Sequence, residues 1–184
     1  MPNHKIAALV GMCGSGKSVV CDMFVEKGWN RIYFGGVTMD ELAKRGLPKS
    51  EANERSIREE LRREHGPAAF AKILLPSIEK SAQEGPTILD GLYSWSEYKC
   101  LKEHFGDDIT IVAVITDRAI RYERLTTRTV RPLTHEEAES RDHAEIEKLE
   151  KGGPISIADR FIMNNGDVDS LTAQVKALMK EFED

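Results

Sequence analysis

Apolar residues arrive along this chain in two alternating rhythms. Unbroken runs at Ile6–Val10, at Ile88-Leu89 after Thr87, and at Ile109–Ile115 with only Thr110 polar have the length and continuity of strands buried on both faces of a parallel sheet. Residues 29–34, aromatic and β-branched and closed by Gly35-Gly36, predict another strand, and residues 160–164 a last one before the turn Asn165-Gly166-Asp167. Between the runs, apolar positions return at three- and four-residue steps. Val20, Met23 and Phe24 mark a helix ending near Gly28, and residues 37–44 a short one closed by Gly46 and Pro48. Ser50 with Asn53-Glu54 opens a charged helix to about His65. Pro67 suits the first turn of the next, whose apolar face is Ala69, Phe70, Ile73, Leu74 and Ile78, up to the break at Glu84-Gly85-Pro86. Trp95, Tyr98, Leu101 and Phe105 predict a core-facing helix, and Leu171, Val175 and Leu178 a C-terminal one. The order predicts a parallel α/β sheet of about five strands with helices on both sides and right-handed crossovers, residues 37–83 forming a helical insertion.

Composition narrows this little. A chain of 184 residues suits one domain, and 40% hydrophobic with 31% charged residues describes an ordinary globule. No apolar run approaches the roughly 18 residues of a membrane span. The opening Met1-Pro2-Asn3-His4-Lys5 lacks a secretory pattern, so a cytoplasmic location is expected. Cys13, Cys21 and Cys100 are odd in number and have no C-x-x-C spacing, which argues against a disulfide framework and a zinc site. A net charge of −5 opposes bulk nucleic-acid binding. A small anionic ligand needs only a local positive site.

Such a site is written at residues 11–18. Gly11-Met12-Cys13-Gly14-Ser15-Gly16-Lys17-Ser18 fits G-x-x-x-x-G-K-[ST] and lies between a predicted strand and a predicted helix, the context of a phosphate-binding loop. Glycines allow close backbone approach and helix-start amides face the anion; Lys17 adds a cation, and the Ser18 hydroxyl can ligate magnesium. Cys13 is either a thiol biased toward thiolate by loop amides and Lys17, or simply a small tolerated side chain. Asp90 ends the third predicted strand, where a carboxylate faces the ligand crevice; it is a Walker B candidate for magnesium, or else a turn acid. Further on, Arg121, Arg124 and Arg128 fall at helical steps with Arg118 and Arg131 nearby, an anion-facing or a merely solvated basic face. Residues 135–151, highly charged and containing Arg141, read as a mobile flap closed by Gly152-Gly153-Pro154.

With these pieces in order the chain resembles the P-loop nucleoside and nucleotide kinases, within them a branch of small proteins similar to dephospho-CoA kinase and adenylate kinase. The carrying stretches are GMCGSGKS at 11–18, LAKRGLP and EELRREHGP in the insertion, ILDG at 88–91, RYERLTTRTVRP at 121–132 and ADRFIMNNG at 158–166. The resemblance implies a three-layer P-loop kinase fold with strand order 2-3-1-4-5, ATP and Mg2+ as cofactors, and a small-molecule phosphoryl acceptor held by the 37–83 insertion. It further implies a nucleotide cradle at Gly11, Cys13, Gly14, Ser15, Gly16, Lys17 and Ser18, magnesium at Ser18 and Asp90, and a lid over about 124–152. By the same resemblance Arg128 would lie against adenine or a phosphate, Arg131 and Arg141 would reach the transferring phosphoryl, and Asn165 and Gly166 would line the base. Relatives that carry an acid after the second strand are matched here by Gly35-Gly36, leaving Thr38 and Asp40 as acceptor candidates. The leading expectation is phosphoryl transfer to a nucleotide-like acceptor, as by a nucleotide kinase or a dephospho-CoA kinase-like enzyme. The alternative is a nucleotide-dependent switch or regulatory ATPase with no small acceptor.

Overall fold

The structure is a computed structural model that describes residues 5–183; residues 1–4, on which the expectation of no leader partly rests, lie outside the described residues. Five strands pair side by side and all parallel: β1 (Ile6–Val10), β2 (Asn30–Tyr33), β3 (Thr87–Asp90), β4 (Ile109–Ile115) and β5 (Arg160–Met163), in the order β2-β3-β1-β4-β5. This is the order the resemblance implied. β1 is central, every residue of it excluded from solvent, and its register sets Leu9 beside Asp90 and Val10 beside Ala113. β2 begins one residue later and ends one residue earlier than residues 29–34 predict, and β5 ends one residue short of Asn164.

Successive strand residues face opposite layers, because the side-chain period of a strand is two. Ile6, Ala8 and Val10 join Leu89, Ile111 and Ala113 in one core cluster, while Ala7 and Leu9 join Ile88, Val112 and Val114 in another. The first cluster is covered by α2 (Gly36–Lys44), α3 (Glu51–His65), α4 (Ala69–Glu84) and α5 (Trp95–Phe105), through Leu42, Ile57, Phe70, Ile78 and Leu101. The second is covered by α1 (Lys17–Val25) and α9 (Val168–Glu183), through Val20, Phe24, Leu171, Val175 and Leu178. Each large apolar side chain so buried contributes about 1.5–3 kcal/mol, and the apolar steps along each helix fix which face turns inward.

Two local readings are corrected and a third gains its local structure. Pro67 stands before α4, not in its first turn, and a proline the pattern had not placed, Pro76, lies inside that helix, where it removes one backbone donor. Arg128 does not share a helical face with Arg121 and Arg124: α6 (Arg118–Thr127) has ended, and Arg128 is extended at φ −63, ψ 143. The charged stretch read as a flap is mostly α7 (His135–Glu147), started by a capping box between Thr134 and Glu137 and packed on α6 through Ala138, followed by the short α8 (Gly152–Ser156).

One buried acid supports the start of α5. Ser94 caps α5, and the Glu97 side chain turns back to accept the Tyr93 amide at 2.9 Å. Glu97 is fully buried, and burial pushes its carboxyl up to about 7 against the opposing pull of Arg62 and Lys151. Its folded-state value therefore exceeds that of the unfolded chain, so protonation favours the folded form. Stability should fall as pH rises from about 5 to about 7.5, by on the order of 3 kcal/mol. Thermal melts of the native chain should show that slope, and Glu97→Gln should flatten it; an equal slope in both chains would place its origin elsewhere.

Candidate functional site

The loop between β1 and α1 is built by residues distant in sequence as well as by its own glycines. Gly14 and Gly16 have φ of 81° and 94°, the left-handed region in which a side chain is strained. A Cβ on Gly14 would stand 2.9 Å from the Arg121 carbonyl oxygen, and one on Gly16 would collide with the Asn164 amide. The loop's carbonyls are held from outside. Arg121 Nη1 donates to Cys13 O at 3.0 Å, while Thr116 Oγ1 and Asn164 Nδ2 donate to Ser15 O at 2.9 and 2.8 Å. In a trans peptide the N–H points opposite to the C=O, so these contacts turn the Gly14 and Gly16 amides the other way. They join the Lys17 and Ser18 amides at the opening of α1, for which a helix start supplies no intrahelical acceptor, while the Val19 amide already bonds Gly16 O at 3.1 Å; such a set of backbone N–H groups is suited to an anion.

Lys17 currently donates back into the loop, to Gly11 O at 2.7 Å and Met12 O at 3.1 Å. Burial, and then the neighbouring Lys151 ammonium, lower its pKa to about 8, against the attraction of Glu145 and Asp90. Two cations and two carboxylates are thus gathered at the loop. Asp90 is buried at the end of β3 and ion-paired with Arg31 of β2, which also holds Asp22 at 2.9 Å; Ser18 is exposed on the first turn of α1. A hydroxyl and a carboxylate are hard oxygen donors of the kind magnesium takes together with water and phosphate, so their chemistry fits that ion, although Asp90 is here paired with Arg31. No cluster of three or more metal-ligating side chains is found among the described residues, so phosphate and water would complete any such shell.

From α7, Glu145 reaches the loop: its Oε2 accepts the Cys13 amide at 3.2 Å and the Lys151 ammonium at 2.9 Å. Lys151 is buried, its Nζ 5.5 Å from the centre of the Tyr93 ring. One turn earlier Asp142 makes a buried two-pronged pair with Arg121, at 2.8 and 2.6 Å, and accepts from Tyr122 Oη at 3.2 Å. Arg121 is therefore a brace between loop and α7 and not a free anion receptor. Cys13 packs against Tyr122, Leu125 and Ala138, and its amide carries the polar contact.

The remaining sequence candidates are dispersed. Arg128 Nε donates to Arg131 O at 2.6 Å, and Arg131, in the left-handed region at φ 53°, pairs with Glu54 of α3 at 2.7 Å. Arg141 is half-exposed, 3.6 Å from Glu145 Oε1. Asn165 Oδ1 accepts the Asp117 amide at 2.8 Å and Gly166 is exposed, both on the β5–α9 turn, whereas its neighbour Asn164 is the residue that touches the loop. Thr38 is buried with its hydroxyl unpartnered, and Asp40 is exposed on α2. Sequence reasoning missed Arg31, Glu145, Lys151 and Asn164. Only the Ala138, Asp142, Glu145 spacing, one face of a helix, carried any signal for them.

No helix among the described residues is long and apolar enough to cross a membrane. The AAA domain family matches residues 8–148. A UPF0200 protein of Aeropyrum pernix is 34% identical over 177 residues, covering 95% of this chain and 92% of the relative. One of Thermococcus gammatolerans is 32% identical over 181 residues, covering 96% and 95%. Among solved structures, a shikimate kinase from Bacteroides thetaiotaomicron aligns over 97% of this chain and 98% of its own with TM-score 0.63 and 16% identity. A gluconokinase from Sinorhizobium meliloti aligns over 100% and 98% with TM-score 0.59 and 16% identity. At such identities the two structures speak to the fold alone. With its parallel 2-3-1-4-5 sheet and its loop at the end of β1, the chain has a P-loop kinase-like fold and belongs to the AAA domain family, among the UPF0200 proteins.

Proposed function

We propose that this protein transfers the terminal phosphoryl group of ATP to a small acceptor. The observation that carries the reading is the convergence of Lys17, Asp90 and the outward-held loop amides at the carboxyl ends of β1 and β3, the place where an open α/β sheet binds its ligand. Phosphoryl transfer asks mainly for positioning and charge compensation, which this inventory supplies. The Gly14 and Gly16 amides and the α1 amino end hold phosphate oxygens, and Lys17 leaves the Gly11 and Met12 carbonyls to join them. Ser18 and Asp90 would hold magnesium, whose chemistry is to neutralise phosphate charge. Residues 124–152, α7 included, act as the lid that keeps water from the transferring group.

The acceptor side is assigned to the helical block of residues 37–83 and the start of α5. Thr38 Oγ1, Arg62 Nε and Glu97 Oε1 are buried there without partners. Unpaired buried polar atoms are costly, and ligand groups are one means of satisfying them. A nucleotide-like acceptor is the leading class. The names of the two aligned structures add small hydroxy acids to those worth testing. A second reading, a nucleotide-dependent switch, is favoured by one observation, the self-satisfied resting contacts of Glu145 and Arg31.

The experiment is ADP release with Mg-ATP, alone and with a panel of nucleosides, nucleotides, dephospho-CoA, shikimate and gluconate. Release that rises at least about tenfold over the acceptor-free rate with one class supports the kinase, since general positioning alone contributes that much and more. Slow release that no acceptor changes supports the switch.

A further inference from the structure

We propose that Glu145 is a built-in stand-in for a phosphate group, capping the loop when no nucleotide is bound, and that Lys151 is a phosphate-binding residue which Glu145 holds ready. The inference rests on the reading of the loop as a polyphosphate cradle and adds to it two residues from the far end of the lid.

The contacts of Glu145 Oε2 are those a phosphate oxygen would make. It accepts a loop amide, from Cys13 at 3.2 Å, and a lysine, Lys151 at 2.9 Å, with the Lys17 ammonium close enough to feel its charge. The carboxylate is placed against the usual preference of side chains. In α7, Glu145 is buried while the adjacent Ile146 is 52% exposed, so the helix turns an acid inward and leaves an aliphatic residue in water. Packing gives no reason for that orientation; the glycine-rich loop beneath it does. Asp142, one turn earlier on the same face, is committed to Arg121 and fixes the helix, leaving Glu145 as the acid that meets the loop.

Lys151 supplies the complementary half. Its side chain is only 2% exposed, and an ammonium excluded from water needs an anion. Glu145 is its carboxylate partner in the resting state, with the Tyr93 ring on another side. Lys17 and Lys151 also repel one another, which helps to hold the Lys17 pKa down at about 8. With Asp90 paired to Arg31, the single carboxylate of Glu145 is left to face the two ammonium groups, and a phosphate group of higher charge balances them more fully. Glu145 has somewhere to go: Arg141, half-exposed on the same helix four residues earlier, already lies 3.6 Å from Oε1. On nucleotide entry Glu145 swings toward Arg141, Cys13 N–H and Lys151 pass to the phosphate, and no covalent bond changes.

Calorimetry on the full chain with two probes, Mg-ATP and inorganic tripolyphosphate, tests this. Glu145→Gln removes the competing charge and leaves the buried Lys151 ammonium to seek an anion, so in a chain that a melting transition shows to be folded it should lower Kd for both probes by roughly tenfold or more, the worth of a charge-assisted contact. Because Lys151→Met alone would strand a buried carboxylate, the second variant is Glu145→Gln with Lys151→Met, which leaves neither charge unpaired. It should lose roughly tenfold or more relative to Glu145→Gln, with a melting transition showing that it is folded. Unchanged or weaker binding by folded Glu145→Gln overturns the cap while leaving the loop reading intact. Equal affinity of the double variant and Glu145→Gln overturns the role of Lys151. A gain for Mg-ATP without one for tripolyphosphate also overturns the cap, since the competition is for phosphate. Absence of binding by every chain overturns the cradle and the cap together.

Discussion

Lys17→Ala is expected to lower acceptor-dependent ADP release by on the order of 10² to 10³ while leaving the fold intact. The rate loss follows from removing a preorganised cation aimed at developing phosphate charge, an effect of about 3 to 4 kcal/mol in a water-poor site. The intact fold follows from the resting contacts. Lys17 is tied to two loop carbonyls at 2.7 and 3.1 Å, yet burial and Lys151 hold its pKa down at about 8. Its folded-state value lies below the unfolded one, so the protein carries a cost for keeping this lysine charged, present at neutral pH and relieved as pH rises above about 8. Losing the ammonium removes that cost along with the two hydrogen bonds, and the melting temperature should change little. Steady-state rates with the acceptor identified by the panel, together with thermal melts at pH 7, are the measurements. Turnover at the native rate in the variant would take Lys17, and the proposed mechanism with it, out of the reaction.

The parts of this molecule that were readable in advance are those in which a local pattern has one physical cause. β1 and β4 read correctly because a strand covered on both faces must be apolar throughout, and all five residues of β1 are in fact excluded from water. Ser50 read correctly as a helix start because its hydroxyl has an amide to cap, that of Asn53 at 3.2 Å. The strand order was legible only through the resemblance, since no periodicity says which strands are neighbours. The loop was legible because glycine, lysine and serine at fixed spacing meet a need within eight consecutive residues. Its surroundings were not. Cys13 and Glu145 are 132 residues apart, and Ser15 and Asn164 are 149 apart. Only its helical spacing from Ala138 and Asp142 distinguishes the buried Glu145 from the exposed glutamates beside it. The capping pattern at Thr134 and Glu137 was present in the sequence and would have made residues 135–147 a helix, had charge density not suggested a flap.

Arg121→Ala should be the most destabilising single change in the site, at about 3 to 5 kcal/mol, because it leaves the Asp142 charge buried without its partner. The pair is enclosed on both sides, with side-chain exposures of 7% and 8%, and its two prongs measure 2.8 and 2.6 Å. The same guanidinium donates to Cys13 O at 3.0 Å, so one substitution unfastens α7 from α6 and removes a brace from the loop. The companion change Asp142→Asn tells these two consequences apart. It removes the buried negative charge while Arg121 keeps its contact to Cys13, so it should cost less than Arg121→Ala and preserve more nucleotide affinity. Combining Arg121→Ala with Asp142→Asn should recover part of the stability by removing the stranded carboxylate, but not the affinity, because the Cys13 carbonyl remains unbraced. Denaturant unfolding gives the stability half of this double-mutant cycle and Mg-ATP calorimetry the other. Additive stability losses in the cycle would mean that Arg121 and Asp142 do not act as a pair. Undiminished affinity in a folded Arg121→Ala chain would mean that the loop keeps its shape without this support.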